Sequence, residues 1–252
     1  MMYRALVLAF GTVAYLAFLA SFVYAVGFTG NLFVPYSVDA GRSADLTTAL
    51  LINVGLLSLF ALQHSGMART AFKRATAALV PKPMERSVFV LAASATLLFM
   101  FWQWRPAPLV IWDISIDALR VGMWILFWLG WLLVLVMCFV LDHGHLFGMG
   151  HVWAFWRGRD YVEPPFRLTF AYRYVRNPQM LGFLVAFWAA PTMTLGRLLL
   201  AVIATIYVCT AIRFEERDLL RKLGESYAQY RRQTSMLIPL PWRRVRAAEP
   251  NK

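Results

Sequence analysis

Three of the four histidines stand close together, as His143, His145 and His151 in LDHGHLFGMGHVW. Asp142 precedes them. Glu163 and five arginines, Arg157, Arg159, Arg167, Arg173 and Arg176, follow within the stretch 141–182. Histidine titrates closest to neutrality of all side chains, so His143 or His145 could take a proton from a weak acid. His151 reads as structural. The fourth histidine, His64, lies in Gln63-His64-Ser65-Gly66 at the end of an apolar run. It either joins the other histidines or caps a helix C-terminus, where positive charge is favoured. The His143-x-His145 spacing with His151, Asp142 and Glu163 could also suit zinc or iron. Four histidines are few for a membrane di-iron centre, and no metal is expected.

Two further constellations could bind a charged ligand. In Tyr174-Val175-Arg176-Asn177-Pro178 the proline begins a helix, whose first N–H groups have no intrahelical partner. Such a turn can hold a carboxylate, and Arg176 adds a bidentate clamp. The plainer alternative is a basic anchor ahead of an apolar segment. In Arg213-Phe214-Glu215-Glu216-Arg217 two adjacent carboxylates stand where an apolar run ends. They could pair with Arg213, Arg217 or Arg176, or hold the ammonium or ribose hydroxyls of a ligand. A salt-bridged helix face is the inexpensive alternative.

The elements that must carry these residues are apolar. The 252-residue chain is 60% hydrophobic and only 15% charged, with a mean hydropathy of +0.57. A soluble domain would carry about a quarter charged residues, so this is an integral membrane protein. The net charge of +12 does not indicate nucleic acid, because the cations fall in short blocks between apolar runs. Four spans are expected near 5–26, 46–62, 87–102 and 120–141, each long enough or nearly so to cross about 30 Å of hydrocarbon. The first is too long for a signal peptide core and lacks a clear cleavage site. The Trp and Phe stripes of the third and fourth spans face lipid or pack. Cys138 and Cys209 fall inside apolar segments and read as buried thiols.

The segment 179–212 is too long for one span and short for two. Pro191 and Gly196 interrupt it, which predicts a helical hairpin turning near 191–194, its first arm either crossing fully or re-entrant. From Arg213 to Arg232 the pattern becomes amphipathic, with Leu219, Leu220, Leu223, Tyr227 and Tyr230 near one face and Gly224 interrupting. The tail, with Trp242 among arginines, suits an interfacial anchor. The basic blocks place the N-terminus, the 69–86 loop and the 142–176 loop in the cytoplasm. The expected fold is all-α and polytopic: a single domain with five or six transmembrane helices, a C-terminal helical hairpin and an amphipathic cytoplasmic helix. Residues 1–141 form a four-helix part and 142–252 a ligand-binding part.

Taken together, Arg176, Asn177, Pro178, Gly182, Glu215, Glu216, Leu219, Gly224, Tyr227, Tyr230, Ile238 and Pro239 resemble the pattern of the isoprenylcysteine carboxyl methyltransferase superfamily. That family's usual His after the Arg is Asn177 here, and its usual Tyr after the Pro is replaced near Met180, which argues against the prenylcysteine enzymes themselves. Gln63–Ser65, the Trp-rich fourth span, and His143, Leu146, Phe147 and Gly148 look like the bacterial methanethiol S-methyltransferases, which are similar to NnrU-type membrane proteins in this region. The resemblance covers nearly the whole chain.

The resemblance implies methyl transfer from S-adenosylmethionine to methanethiol, a small volatile thiol, at a bacterial plasma membrane with the donor side cytoplasmic. It implies donor contacts from Tyr174, Arg176, Asn177, Pro178, Gly182, Glu215 and Glu216. Arg176 would take the donor carboxylate, Glu215 or Glu216 its ammonium or ribose, and Tyr174 would pack on it. His143, His145 or His64 would serve catalysis. A thiol is mostly protonated at neutral pH, with a pKa of about 8.5 or higher, so a base or a cationic neighbourhood is useful. Alignment and exclusion of water would supply much of the rate. The alternatives are another small thiol, a lipid amine or a prenylcysteine as acceptor, or a non-enzymatic NnrU-like protein. Partners other than lipid and substrate are not implied, and oligomeric state is left open.

Overall fold

The computed structural model describes residues 1–162 and 170–240. Glu163, Arg167 and the Trp242 tail lie outside the described residues. The described chain is helical apart from one two-stranded ribbon, and five of its helices are long and apolar enough to cross a membrane. The protein is therefore an all-α integral membrane protein. It divides into two compact units, interleaved along the sequence.

The first unit takes residues 1–115, 141–164 and 191–203. Helix α1 spans Met2–Gly30 and α2 spans Leu46–Ala68. Both run longer than the apolar runs alone predict. The side chain of Asp45 fixes the start of α2 by accepting from the Thr48 N–H at 3.0 Å. The short α3 covers Thr70–Thr76, and a 3-10 turn at Lys82–Met84 leads into α4, Glu85–Gln103. The core is apolar and aromatic: Phe28, Val38, Leu56, Leu57, Met100, Phe101, Trp104 and Leu200. Polar groups within it are satisfied, as burial requires. The Trp104 indole donates to the Val38 carbonyl at 3.0 Å. Asn53, fully buried, donates to the Arg105 carbonyl at 2.7 Å and accepts from the Arg105 N–H at 2.9 Å, closing the end of α4.

One ribbon and one ion pair tie the loops of this unit together. Strand β1, Val110–Asp113, pairs antiparallel with β2, Thr192–Thr194. Arg197 donates through Nε to Asp39 at 2.5 Å and through Nη1 to the Thr29 carbonyl at 2.8 Å. The loops after α1 and after α4, and the turn before residue 195, therefore gather on one side.

The second unit takes residues 116–140, 165–190 and 204–252. Helix α5 is Asp117–Val140 and α8 is Pro178–Trp188. They pack antiparallel: Gln179 meets Cys138 through a 3.4 Å N–H···S contact, and Trp131 meets the edges of Phe183 and Phe187. The seam is glycine on glycine. A Cβ on Gly182 would sit 2.8 Å from the Gly130 carbonyl oxygen, and one on Gly130 would sit 2.7 Å from the Ala186 nitrogen. Small residues let apolar helices approach this closely where the hydrophobic effect cannot drive them together. The outer face of α5, with Leu129, Leu132, Val136 and Phe139 exposed, is left for lipid.

The turn predicted within 179–212 lies at the ribbon. Helix α8 retraces α5 but at 11 residues is only about 16 Å long. The extended residues after it carry the chain on, and Pro191 accepts from the Ile114 N–H at 3.0 Å, beside β1 and just ahead of α5. Helix α9, Leu195–Leu223, follows directly on β2. Helix α9 continues straight through Arg213, where the pattern change suggested a new element. The break comes instead at Gly224, whose φ of 58° suits glycine, and α10 follows as Glu225–Gln233.

Candidate functional site

In the second unit the RNP and EE elements meet. Arg176 leads into α8, with Pro178 buried at its first position. Glu216 sits about two turns before the end of α9. The Arg176 Nε donates to Glu216 Oε1 at 2.6 Å, with both side chains about one-tenth exposed. Nη1 of the same guanidinium donates to the carbonyls of Arg231, at 3.1 Å, and Thr234. The backbone follows suit: the Arg176 N–H donates to the Ser235 carbonyl at 2.8 Å, and Val175 and Ser235 form a parallel bridge. Asn177 Nδ2 donates to the Met236 carbonyl at 3.2 Å. The segment after α10 is thus laced to the entry of α8 by one arginine and one asparagine.

Two tyrosines of α10 complete this cluster. Tyr227 and Tyr230 are buried with ring centroids 5.9 Å apart, and the Tyr230 hydroxyl donates to the Tyr172 carbonyl at 2.8 Å. Burial, then the nearby Glu216 carboxylate, pushes the Tyr227 phenol up to about 12. Tyr172 rises to about 12 from burial and then the Glu215 charge. Both stay neutral donors across the physiological range. Glu216 is buried, whereas its neighbour Glu215 is exposed on α9, as is Tyr174 at 45%. Gly182 lies on the α5 seam, one turn beyond Pro178.

In the first unit the histidine stretch folds onto α1. After α5 the chain forms the short helices α6, His143–Leu146, and α7, Met149–Trp156. Asp142, at φ 67°, caps α6 by accepting from the His145 N–H at 3.1 Å. Gly148, at φ 84°, turns the chain between α6 and α7 with no room for a Cβ beside Ser87 and Arg86. Arg86 Nε donates to the Leu146 carbonyl at 2.7 Å, anchoring the end of α6. Val152 fills the space above Gly11, and Phe155 meets the edge of Tyr3 at 5.8 Å. The polar stretch therefore lies along the first half of α1 rather than in a loop beyond the helices.

That placement sorts the histidines. His143 Nε2 is 2.5 Å from the Tyr15 hydroxyl. Its ring stands edge-on to Tyr15 and Phe147, and Phe147 stacks on Phe18 with centroids 3.6 Å apart. His151 stacks on Tyr161 at 4.0 Å, and His145 lies 5.3 Å from His151. His64 falls inside α2, not at its end, with its ring against Phe60 at 5.3 Å and Phe89 at 4.9 Å. No three of the described His, Cys, Asp and Glu residues cluster as a metal site would require. Tyr15 was missed by sequence reading. Its signal was a phenol in the middle of an apolar span, where a polar group needs a reason.

Burial lowers the pKa of His143 below its ordinary value, with Asp142 opposing more weakly. Burial thus favours the neutral imidazole of His143. A histidine depressed in the fold binds its proton more readily when unfolded. Its contribution to stability is therefore complete above the unfolded pKa of about 6.5, and erodes as pH falls through that value. Detergent melting between pH 8 and pH 5 is expected to show a smaller acid-side loss for His143→Gln than for the native chain. Parallel profiles for the two would contradict the assignment.

No family model matches the chain, and no solved structure matches it. Curated relatives do. The chain is 50% identical over 242 residues to the methanethiol S-methyltransferase of Mycobacterium tuberculosis, covering 96% of this chain and 99% of that one. It is 46% identical to the methanethiol S-methyltransferase of Crocosphaera subtropica over 94% of this chain and 92% of the other. A more distant relative, nurim of Xenopus laevis, is 31% identical over 76% of this chain and 70% of its own. Half of all positions shared across nearly the full length of both proteins leaves little room for a different architecture or class of chemistry: the chain belongs to the methanethiol S-methyltransferase family.

Proposed function

We propose that this membrane enzyme transfers a methyl group from S-adenosylmethionine to methanethiol, giving dimethyl sulfide. The observation that carries this is the near full-length identity to enzymes of that name. The donor is a sulfonium that also bears an ammonium and a carboxylate. The cluster in the second unit holds the complementary charges, as the buried Arg176–Glu216 pair. In this reading the donor exchanges into that pair, its carboxylate on Arg176 and its ammonium on Glu216. Asn177 and Pro178 fix the entry of α8, Gly182 seats that helix, Glu215 offers a second carboxylate for the ribose, and Tyr174 offers a ring face.

The thiol gives up its proton, with His143 the favoured acceptor over His145 and His64. The thiolate sulfur then forms a bond to the methyl carbon. The bond from that carbon to the sulfonium breaks, and its electron pair stays on the donor sulfur. Charge is consumed in the step, so low polarity around the reacting atoms favours it.

The basic blocks at 69–86 and 142–176 support a donor side facing the cytoplasm of a bacterial cell. S-adenosylmethionine is charged and does not cross bilayers unaided. Inverted membrane vesicles given external donor and methanethiol are expected to make dimethyl sulfide, and sealed right-side-out vesicles to make it only after permeabilisation. Equal activity in both sealed preparations would refute the sidedness. No saturable donor binding by the detergent-purified protein would refute the donor.

A further inference from the structure

We propose that Tyr15 carries the thiol proton to His143. This rests on the thiol-methylation reading above. The Tyr15 hydroxyl lies 2.5 Å from His143 Nε2, and it donates to that nitrogen in the tautomer that leaves Nε2 unprotonated. Tyr15 stands about 20 Å along α1 from Met2, well inside a helix long enough to span a membrane. A methanethiol molecule partitions into such apolar surroundings. Phe18 and Phe147 stack beside the pair and surround the phenol and imidazole with aromatic rings.

The step balances without a further reagent. The thiol S–H bond breaks and its proton goes to the Tyr15 oxygen. The proton already on that oxygen passes to His143 Nε2. The products are a thiolate, an intact tyrosine and an imidazolium, which later returns its proton to water. Neutral His143 is needed at the start, and burial favours that form. The charged and titratable groups near it among the described residues come from three elements. Asp142 precedes it, Arg86 of α4 binds the Leu146 carbonyl at the far end of α6, and His145 and His151 lie with Tyr161.

A tyrosine that only packed would lower the rate equally for every acceptor and at every pH. A relay makes a sharper prediction. With methanethiol, Tyr15→Phe is expected to lower kcat by about 100-fold or more, the usual yield of general acid–base catalysis, with little change in the KM for S-adenosylmethionine. Its rate should then climb about tenfold per pH unit, tracking thiolate formed in solution. With 2,2,2-trifluoroethanethiol, a small apolar thiol made much more acidic by its fluorines, the loss should shrink to a few-fold. His143→Gln should show the same acceptor dependence, and the double variant should be no worse than either single one.

Equal losses on both thiols, an unchanged pH profile, or additive losses in the double variant would overturn the relay. Should Tyr15→Phe fail to fold, His143→Gln read on the two thiols decides the same question. Turnover by the native enzyme separates the two readings. Native turnover with an unaffected Tyr15→Phe overturns the relay alone. No native turnover of either thiol overturns the methylation reading and the relay with it.

Discussion

Replacing Glu216 with alanine is expected to cost about 3–5 kcal/mol of stability and to abolish activity. The loss follows from what it leaves behind. The Arg176 side chain is only about one-tenth exposed, and its Nε has Glu216 as partner at 2.6 Å. Removing one member of a buried pair strands an uncompensated charge, which is far more costly than removing both. A drop of roughly 10 °C in the detergent melting midpoint should accompany it, at a few degrees per kcal/mol for a chain of this size. The Arg176→Leu/Glu216→Leu double variant should recover much of that midpoint, because neither charge is then buried alone. Activity should not return. If it did, the pair would be scaffolding for α8 and α10 and would play no part in holding the donor. If the single Glu216→Ala variant melted within a degree or two of the native chain, the pair would not be buried as described.

Gly182→Leu is expected to do comparable damage through shape alone. Its missing Cβ faces the Gly130 carbonyl at 2.8 Å and the Val134 nitrogen at 3.0 Å. These are backbone atoms of α5, so no flexible side chain can swing away to make room. Overpacking against side chains costs about 1–3 kcal/mol, and against rigid backbone the cost should lie at or above the top of that range. The α5–α8 seam would have to open, and α8 would carry Pro178 and Arg176 with it. Gly182→Ala should give a smaller effect of the same kind. By contrast, Gly122→Leu, on the same α5 but with open space around its would-be Cβ, should be close to neutral. Proteolytic sensitivity of the 170–177 segment and the yield of monodisperse protein would read out all three. A tolerated Gly182→Leu would mean that the close approach of the two helices is not needed.

The legible parts of this chain were those that periodicity and composition decide. Apolar runs gave the long helices. The RNP and EE elements, 40 residues apart in sequence, announced themselves by charge where charge is costly, and Arg176 and Glu216 indeed form a buried pair. Helix ends were less legible. The polar run 63–66 looked like a terminus, yet α2 continues to Ala68 because the His64 ring packs between Phe60 and Phe89. The hairpin turn near Pro191 was visible, but its pairing with 110–113 was not, since a four-residue strand carries no periodic signal. The histidine stretch was read as a loop. Its short helices instead lie on α1, fixed by tertiary contacts such as Val152 over Gly11 that local pattern cannot encode. Tyr15 escaped notice for the same reason: its partner is 128 residues away.

The central claim is that this chain methylates a small thiol, and headspace gas chromatography over the purified protein tests it most directly. Detergent-solubilised enzyme given S-adenosylmethionine and methanethiol should release dimethyl sulfide in step with S-adenosylhomocysteine, and the Arg176→Leu/Glu216→Leu variant should release none. Folded, monodisperse native protein that yields neither product would contradict the account.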